Sequence, residues 1–252
     1  MYCDIDCEKT RIEDLIRQAV WSAGADGIVI GVSGGIDSAV ALALATGAVS
    51  SERVMAFFLP SETTPTGDER DVLDLCLKFG VCCRTIPIDQ IISAYREIDG
   101  FVDDPQTIGN LMARTRMAIL YYHANMTGRL VIGTSNKTEY LIGYCTKWGD
   151  NAADIQPILH LYKKDIYHLA ERLSIPEAII RKKPSAGLWP GQTDEDELGI
   201  TYAELDATLE SLEQKGWKAD CSLEERILSM VRRSTHKRVP APNLAGTAPR
   251  SL

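Results

Sequence analysis

Residues 28–38 read Ile28-Val29-Ile30-Gly31-Val32-Ser33-Gly34-Gly35-Ile36-Asp37-Ser38, followed by an unbroken Ala/Leu-rich run over 39–45. The β-branched start has the pattern of a strand buried on both faces, and the run after the glycines reads as a helix. A strand that stops at two glycines and turns straight into a helix leaves backbone N–H groups unpaired at the positive end of the helix dipole. That is an anion site. Gly34 and Gly35 carry no Cβ to block a phosphate, and Ser33 and Ser38 add hydroxyls. Asp37 would repel a bare phosphate, so its presence points to Mg²⁺ bridging carboxylate and phosphate oxygens. The loop lacks the lysine of the kinase-type phosphate loop, and it lacks G-x-G-x-x-G. From the loop alone, a plain tight turn stays open as the alternative.

Four further strand candidates follow: residues 53–59, 82–88, 129–133 and, more weakly, 154–158. Helical stretches separate them. Ile12, Leu15, Ile16, Ala19 and Val20 form a stripe before the first strand, with Thr10 and Glu13 as a capping box; Thr66 and Glu69 offer another before Val72, Leu75, Cys76 and Phe79. A longer helix over 105–125 carries Ile108, Leu111, Met112, Thr115, Ile119 and Tyr122 on one face and Arg114 opposite. Boxes at Thr201/Glu204 and Ser222/Glu225 open two late amphipathic helices. The alternation predicts one doubly wound α/β domain with a parallel five-stranded sheet of order 3-2-1-4-5. Its parts are a helix over 8–22, a nucleotide-binding core over 27–181, a mobile loop over 182–197, helices over 201–235 and a tail over 239–252.

The fourth strand ends in Gly133-Thr134-Ser135-Asn136-Lys137-Thr138-Glu139, again glycine and then a polar helix start. With the first and fourth strands adjacent, the two loops face each other across one crevice, and Asp37 and Glu139 share one Mg²⁺. The competing reading is that Glu139 only decorates an exposed helix. The irregular stretch that follows, with Lys147, Trp148, Gly149 and Asp150, suggests a ligand wall.

With 252 residues, a net charge of -8 and no run near ~18 apolar residues, the chain is expected to be soluble, cytoplasmic and no membrane or nucleic-acid binder. The seven cysteines show no metal-ligand spacing and are expected to be reduced.

The string SGGIDS resembles the pyrophosphate loop of the N-type ATP pyrophosphatases. Together with NLMARTRM, GTSNKTEYLIGYCTKWGDNAADIQP, LYKKDI, KKPSAGLWPGQTDEDELG and HKRVP, spread from Gly31 to Pro240, it makes the chain similar to the ammonia-dependent NAD synthetases. The resemblance implies ATP on Gly31, Val32, Ser33, Gly34, Gly35, Ile36, Asp37, Ser38, Thr134, Lys163 and Ser185, with Mg²⁺ on Asp37 and Glu139. It implies deamido-NAD on Arg114, Lys147, Asp154, His236 and Lys237. Arg114, Lys147 and Lys237 suit a substrate with two phosphates and a carboxylate, while Asp154 suits a ribose hydroxyl. On periodicity alone Arg114 is a surface arginine, and the basic run 232–238 only compensates a helix end. The acidic run 194–197 reads most simply as solvated, with the family likeness making its segment a lid over ATP.

The implied reaction is amidation of deamido-NAD through an acyl adenylate, releasing pyrophosphate and AMP, by a homodimer. Free ammonia is the expected donor, because the chain has no room for the amidase domain of glutamine-dependent relatives. The alternatives are a tRNA-modifying pyrophosphatase, which the acidic charge disfavours, and a non-catalytic adenine-nucleotide sensor.

Overall fold

A computed structural model describes residues 4–185, 187 and 191–242. The first half runs α1 (Ile5–Ser22), β1 (Gly27–Gly31), α2 (Ile36–Val49), β2 (Val54–Phe58), α3 (Asp68–Phe79), β3 (Cys82–Thr85), α4 (Asp89–Arg96), α5 (Pro105–Met126) and β4 (Arg129–Ile132). The second half is helical: α6 (Lys137–Ile142), α7 (Lys163–Arg172), α8 (Glu177–Ile180), α9 (Asp194–Leu198), α10 (Tyr202–Gln214) and α11 (Ser222–Arg233).

The sheet is parallel and ordered β3-β2-β1-β4, with Ile30 in register with Ala56 on one side and Ile132 on the other. Successive residues of β1 point to opposite faces. Ile28 and Ile30 enter a core shared with α1, α2, α3 and α7, whereas Val29 enters a second one with Phe57, Ile92, Ile108 and Met112 of the α4/α5 side. Helix α2 is buried on almost every face because it lies between the sheet and α1 and α7, which explains the unbroken apolar run over 39–45 after its polar first turn. A third cluster, with Ile142, Leu205, Leu209, Leu212 and Ile227, joins α6, α10 and α11.

The expected order 3-2-1-4 holds, but the fifth strand does not form among the described residues: it is reduced to one bridge between Ile155 and Ile132. Two local causes suffice. The Asp154 carboxylate takes the Val131 N–H itself, at 2.8 Å, and Pro157 has no N–H to extend a ladder.

The box at Thr201/Glu204 forms, but those at Thr10, Thr66 and Ser222 do not. Helix α1 begins earlier, at Ile5, and the Thr10 hydroxyl donates back to Asp6 O inside it. Tyr122, expected on the buried stripe of α5, is 64% exposed. Cys7 is disulfide-bonded, against the expectation of reduced thiols, while Cys76, Cys82, Cys83, Cys145 and Cys221 are free. Of the expected mobile loop, residues 186 and 188–190 lie outside the described residues, as do 243–252 of the tail, and residues 194–198 form α9. No helix among the described residues is long and apolar enough to cross a membrane.

Candidate active site

Val32 and Ile36 anchor the loop between β1 and α2 by burying their side chains in the core. Between them the backbone is free of the hydrophobic interior. Gly34 adopts φ +82°, and a Cβ there would sit 3.3 Å from Asp68 Cβ, so both conformation and space favour glycine. The Ser38 hydroxyl accepts from Ser33 N at 3.2 Å and donates to Gly35 O at 3.0 Å, while Ser33 Oγ accepts from Gly35 N at 3.2 Å. Gly35 caps α2 without a side-chain hydrogen bond, which leaves the first turn open to an anion.

Because β1 and β4 are neighbours, the first turns of α2 and α6 meet at one sheet edge. Asn136, the N-cap of α6, fixes the junction: its Oδ1 accepts from Glu139 N at 3.0 Å and its Nδ2 donates to Asp37 Oδ1 at 2.9 Å. The Lys163 ammonium stands between the two carboxylates, 2.6 Å from Asp37 Oδ2 and 3.0 Å from Glu139 Oε1. Its side chain is only 3% exposed. The backbone of Lys163 donates to Thr138 Oγ1 at 2.9 Å, and Thr138 donates on to Asp206, so α7 is tied to α6 and α10 at this point.

Burial pushes the Glu139 carboxyl up to about 7; Lys163 opposes that rise and Asp37 adds to it. Burial also works against the Lys163 charge, yet Asp37 and Glu139 together hold the ammonium above the usual lysine range. The Tyr202 hydroxyl lies 3.0 Å from both Glu139 Oε1 and Asp194 Oδ2, linking the pair to α9. Burial, with Glu139 and Asp194, raises the Tyr202 phenol well above its ordinary range and keeps it a donor.

Thr134 is half-buried beside Gly133 at the end of β4, and Ser185 is exposed, its Oγ accepting from Gly187 N at 3.1 Å. The residues expected to hold the second substrate converge, His236 apart, on the irregular stretch 143–154. Arg114 is exposed and donates through Nε and Nη2 to Lys147 O at 3.3 and 3.2 Å. Lys237 Nζ donates to Gly143 O at 2.7 Å and Cys145 O at 2.6 Å. Asp154 accepts from Tyr121 OH at 3.2 Å as well as from Val131 N. Thus Lys237 braces the start of this stretch through its carbonyls, and Asp154 ties its end to β4 and α5. His236 is exposed on a single turn after α11.

A family model described as NAD synthase matches residues 8–241. The chain belongs to the NAD synthase family. Relatives in this family include an NH(3)-dependent NAD(+) synthetase of Methanoregula boonei, 50% identical over 241 residues that cover 96% of this chain and 97% of the relative. Another, from Thermoplasma acidophilum, is 46% identical over 92% and 94% of the two chains. Among solved structures, an NMN synthetase from Francisella tularensis superposes with a TM-score of 0.88 at 37% identity, over 97% of this chain and all (100%) of that one. An NH3-dependent NAD synthetase from Campylobacter jejuni gives 0.82 at 30% identity, over 96% and 100%.

Four residues of this NAD synthase family chain escaped the sequence reading. Asn136 donates to the Asp37 carboxylate and caps the Glu139 backbone N–H, and an Asn before a polar helix start is a cap signal that could have found it. Tyr202 was hidden inside an amphipathic helix. Asp194 was read as solvated, yet it is 4% exposed and lies 3.1 Å from Tyr144 OH as well as contacting Tyr202. Lys182 donates to the loop at Gly34 O, at 3.0 Å.

Proposed function

We propose that the chain is an ammonia-dependent NAD synthetase acting in the cytoplasm as a homodimer. The observation that carries this reading is the joining of the glycine loop, Asp37, Glu139 and Lys163 at one sheet edge in a chain so similar, over nearly its whole length, to proteins of that name. In this reading ATP lies along Gly31, Val32, Ser33, Gly34, Gly35, Ile36, Asp37 and Ser38, reaching Thr134, Lys163 and Ser185. Deamido-NAD lies along the stretch 143–154, against Arg114, Lys147, Asp154, His236 and Lys237. Exposed Tyr122 and Met126 on the Arg114 helix support a second copy there.

The donor set fits Mg²⁺, which takes one or two carboxylates and fills its remaining positions with water and phosphate oxygens. Asp37 and Glu139 already converge on one cation, the Lys163 ammonium, and Asn136 ties the Asp37 carboxylate to the Glu139 backbone. When bound, the ion neutralises negative charge on the phosphates. The nicotinate carboxylate of deamido-NAD attacks the α-phosphorus of ATP; the α–β bridge breaks, pyrophosphate leaves and an acyl adenylate remains. Ammonia then attacks the acyl carbon, loses a proton, and AMP departs. The chain supplies no covalent nucleophile. Loop N–H groups and Lys163 hold the departing pyrophosphate, while Arg114 and Lys147 orient the acceptor.

The test is purified protein with ATP, Mg²⁺ and deamido-NAD, given ammonium or glutamine, while NAD and AMP are followed. Production of ADP, or turnover without deamido-NAD, overturns the reading. Likeness to the Francisella NMN synthetase favours one second reading, amidation of nicotinate mononucleotide, so that substrate is assayed in parallel.

A further inference from the structure

We infer that Lys182 is a positioning residue for the phosphate loop, holding the Gly34–Gly35 peptide and offsetting two carboxylates beside it so that the β- and γ-phosphates of a nucleoside triphosphate can dock. The inference rests on the ATP-dependent reading above. A loop of N–H donors binds an anion only while its carbonyl oxygens point elsewhere. Gly34 and Gly35 have no side chains to set that orientation, and a flipped peptide would aim an oxygen at the phosphates. Lys182 Nζ lies 3.0 Å from Gly34 O, and Ser33 Oγ holds the N–H of the same peptide at 3.2 Å. The peptide is clamped from both sides.

The second part of the role is electrostatic. Lys182 also pairs with Asp68 at 2.9 Å and with Asp71, both in the first turn of α3. Their side chains are only 14% and 20% exposed, and Asp68 abuts Gly34. With the lysine, this group carries one net negative charge; without it, two carboxylates face the incoming polyphosphate. Lys182 opens the segment that continues through Ser185, and Thr63 Oγ1 donates to Gly187 O at 3.1 Å farther along. The lysine therefore joins that segment directly to the loop.

The test compares wild type with Lys182→Met, Lys182→Gln and Lys182→Arg, measuring binding of α,β-methylene-ATP and of AMP by calorimetry with Mg²⁺, alongside Tm. Lys182→Met should weaken α,β-methylene-ATP by about 10-fold or more, the loss expected of one charge-assisted hydrogen bond. AMP, which lacks the β- and γ-phosphates, should bind as before, and Lys182→Arg should restore most of the affinity. Equal weakening of both ligands, or wild-type affinity for α,β-methylene-ATP in Lys182→Met, overturns the inference. If Lys182→Met fails to fold, Lys182→Gln is judged by the same two affinities; failure of every variant to fold makes the residue structural and overturns it too. Normal wild-type binding without NAD formation overturns the functional reading and leaves this one standing; no wild-type binding of α,β-methylene-ATP overturns both.

Discussion

The Lys163 ammonium lies 2.6 Å from Asp37 Oδ2 although the two residues are 126 positions apart in the chain. Glu139 completes the group at 3.0 Å, so one buried cation neutralises part of a carboxylate pair at the meeting point of α2, α6 and α7. Such a group is costly to bury and costly to break. Removing either sign leaves the other uncompensated.

Lys163→Met is therefore expected to destabilise the fold, on the order of 3–5 kcal/mol, because it strands Asp37 and Glu139 in a site that water barely reaches. Urea denaturation of the apo protein reads the difference. A loss under about 1 kcal/mol would show the carboxylates to be solvated and the buried pair to be irrelevant to stability.

Asp37→Ala is expected to abolish adenylation while the fold persists. The side chain is oriented by Asn136 and Lys163 at the crevice and contributes nothing to the apolar core. Pyrophosphate release measures the first effect and circular dichroism the second. Unchanged turnover removes the proposed metal role.

Glu224→Gln tests a second ion pair remote from the crevice. Lys215 lies 2.8 Å from Glu224, whose carboxylate also accepts from Asp220 N and the Ser211 hydroxyl; these bonds lower its pKa to about 2. A carboxyl whose pKa is depressed by folding stabilises above its ordinary value near 4.5 and loses that contribution as pH falls toward 2. The variant should be less stable than wild type at pH 7, with the gap closing between about pH 4.5 and 2. A gap independent of pH in thermal melts would assign the effect to shape alone.

Gly143→Ala should be among the more damaging conservative changes. Gly143 ends α6 at φ +76°, and an added Cβ would fall 2.1 Å from Ser234 Cβ of the turn after α11. Left-handed strain of roughly 1 kcal/mol then adds to a contact that only movement of α11 can relieve. Because Lys237 grips the Gly143 carbonyl, KM for deamido-NAD should rise together with the loss of Tm. A variant with wild-type Tm would contradict this close packing.

Local sequence was sufficient wherever neighbouring residues set the backbone. The strand, the glycine loop and the buried helix over 28–45 could be read directly, because β-branching, missing Cβ atoms and apolar runs act over a few positions. The 3-2-1-4 strand order, by contrast, is supposed from the usual doubly wound arrangement, and the pairing of β1 with β4 in the structure bears that part out. The same short-range logic misled at 154–158, where five residues look like a strand but Asp154 spends its carboxylate on Val131 N and Pro157 cannot donate.

Charge is where tertiary structure decided. By itself the sequence paired Asp37 with Glu139 across two strand ends; only the packing of α7 against α2 and α10 set the Lys163 ammonium between them as one buried group. Asp194 reads as a solvated acid beside three others, yet Tyr144, 50 positions away, and Tyr202 of the next helix draw it inside. Lys182 reads as one basic residue of a loop until α3 supplies two carboxylates and Gly34 a carbonyl. The reason is physical: a backbone preference is set by neighbours along the chain, whereas the fate of a charge depends on which partners folding brings within about 4 Å.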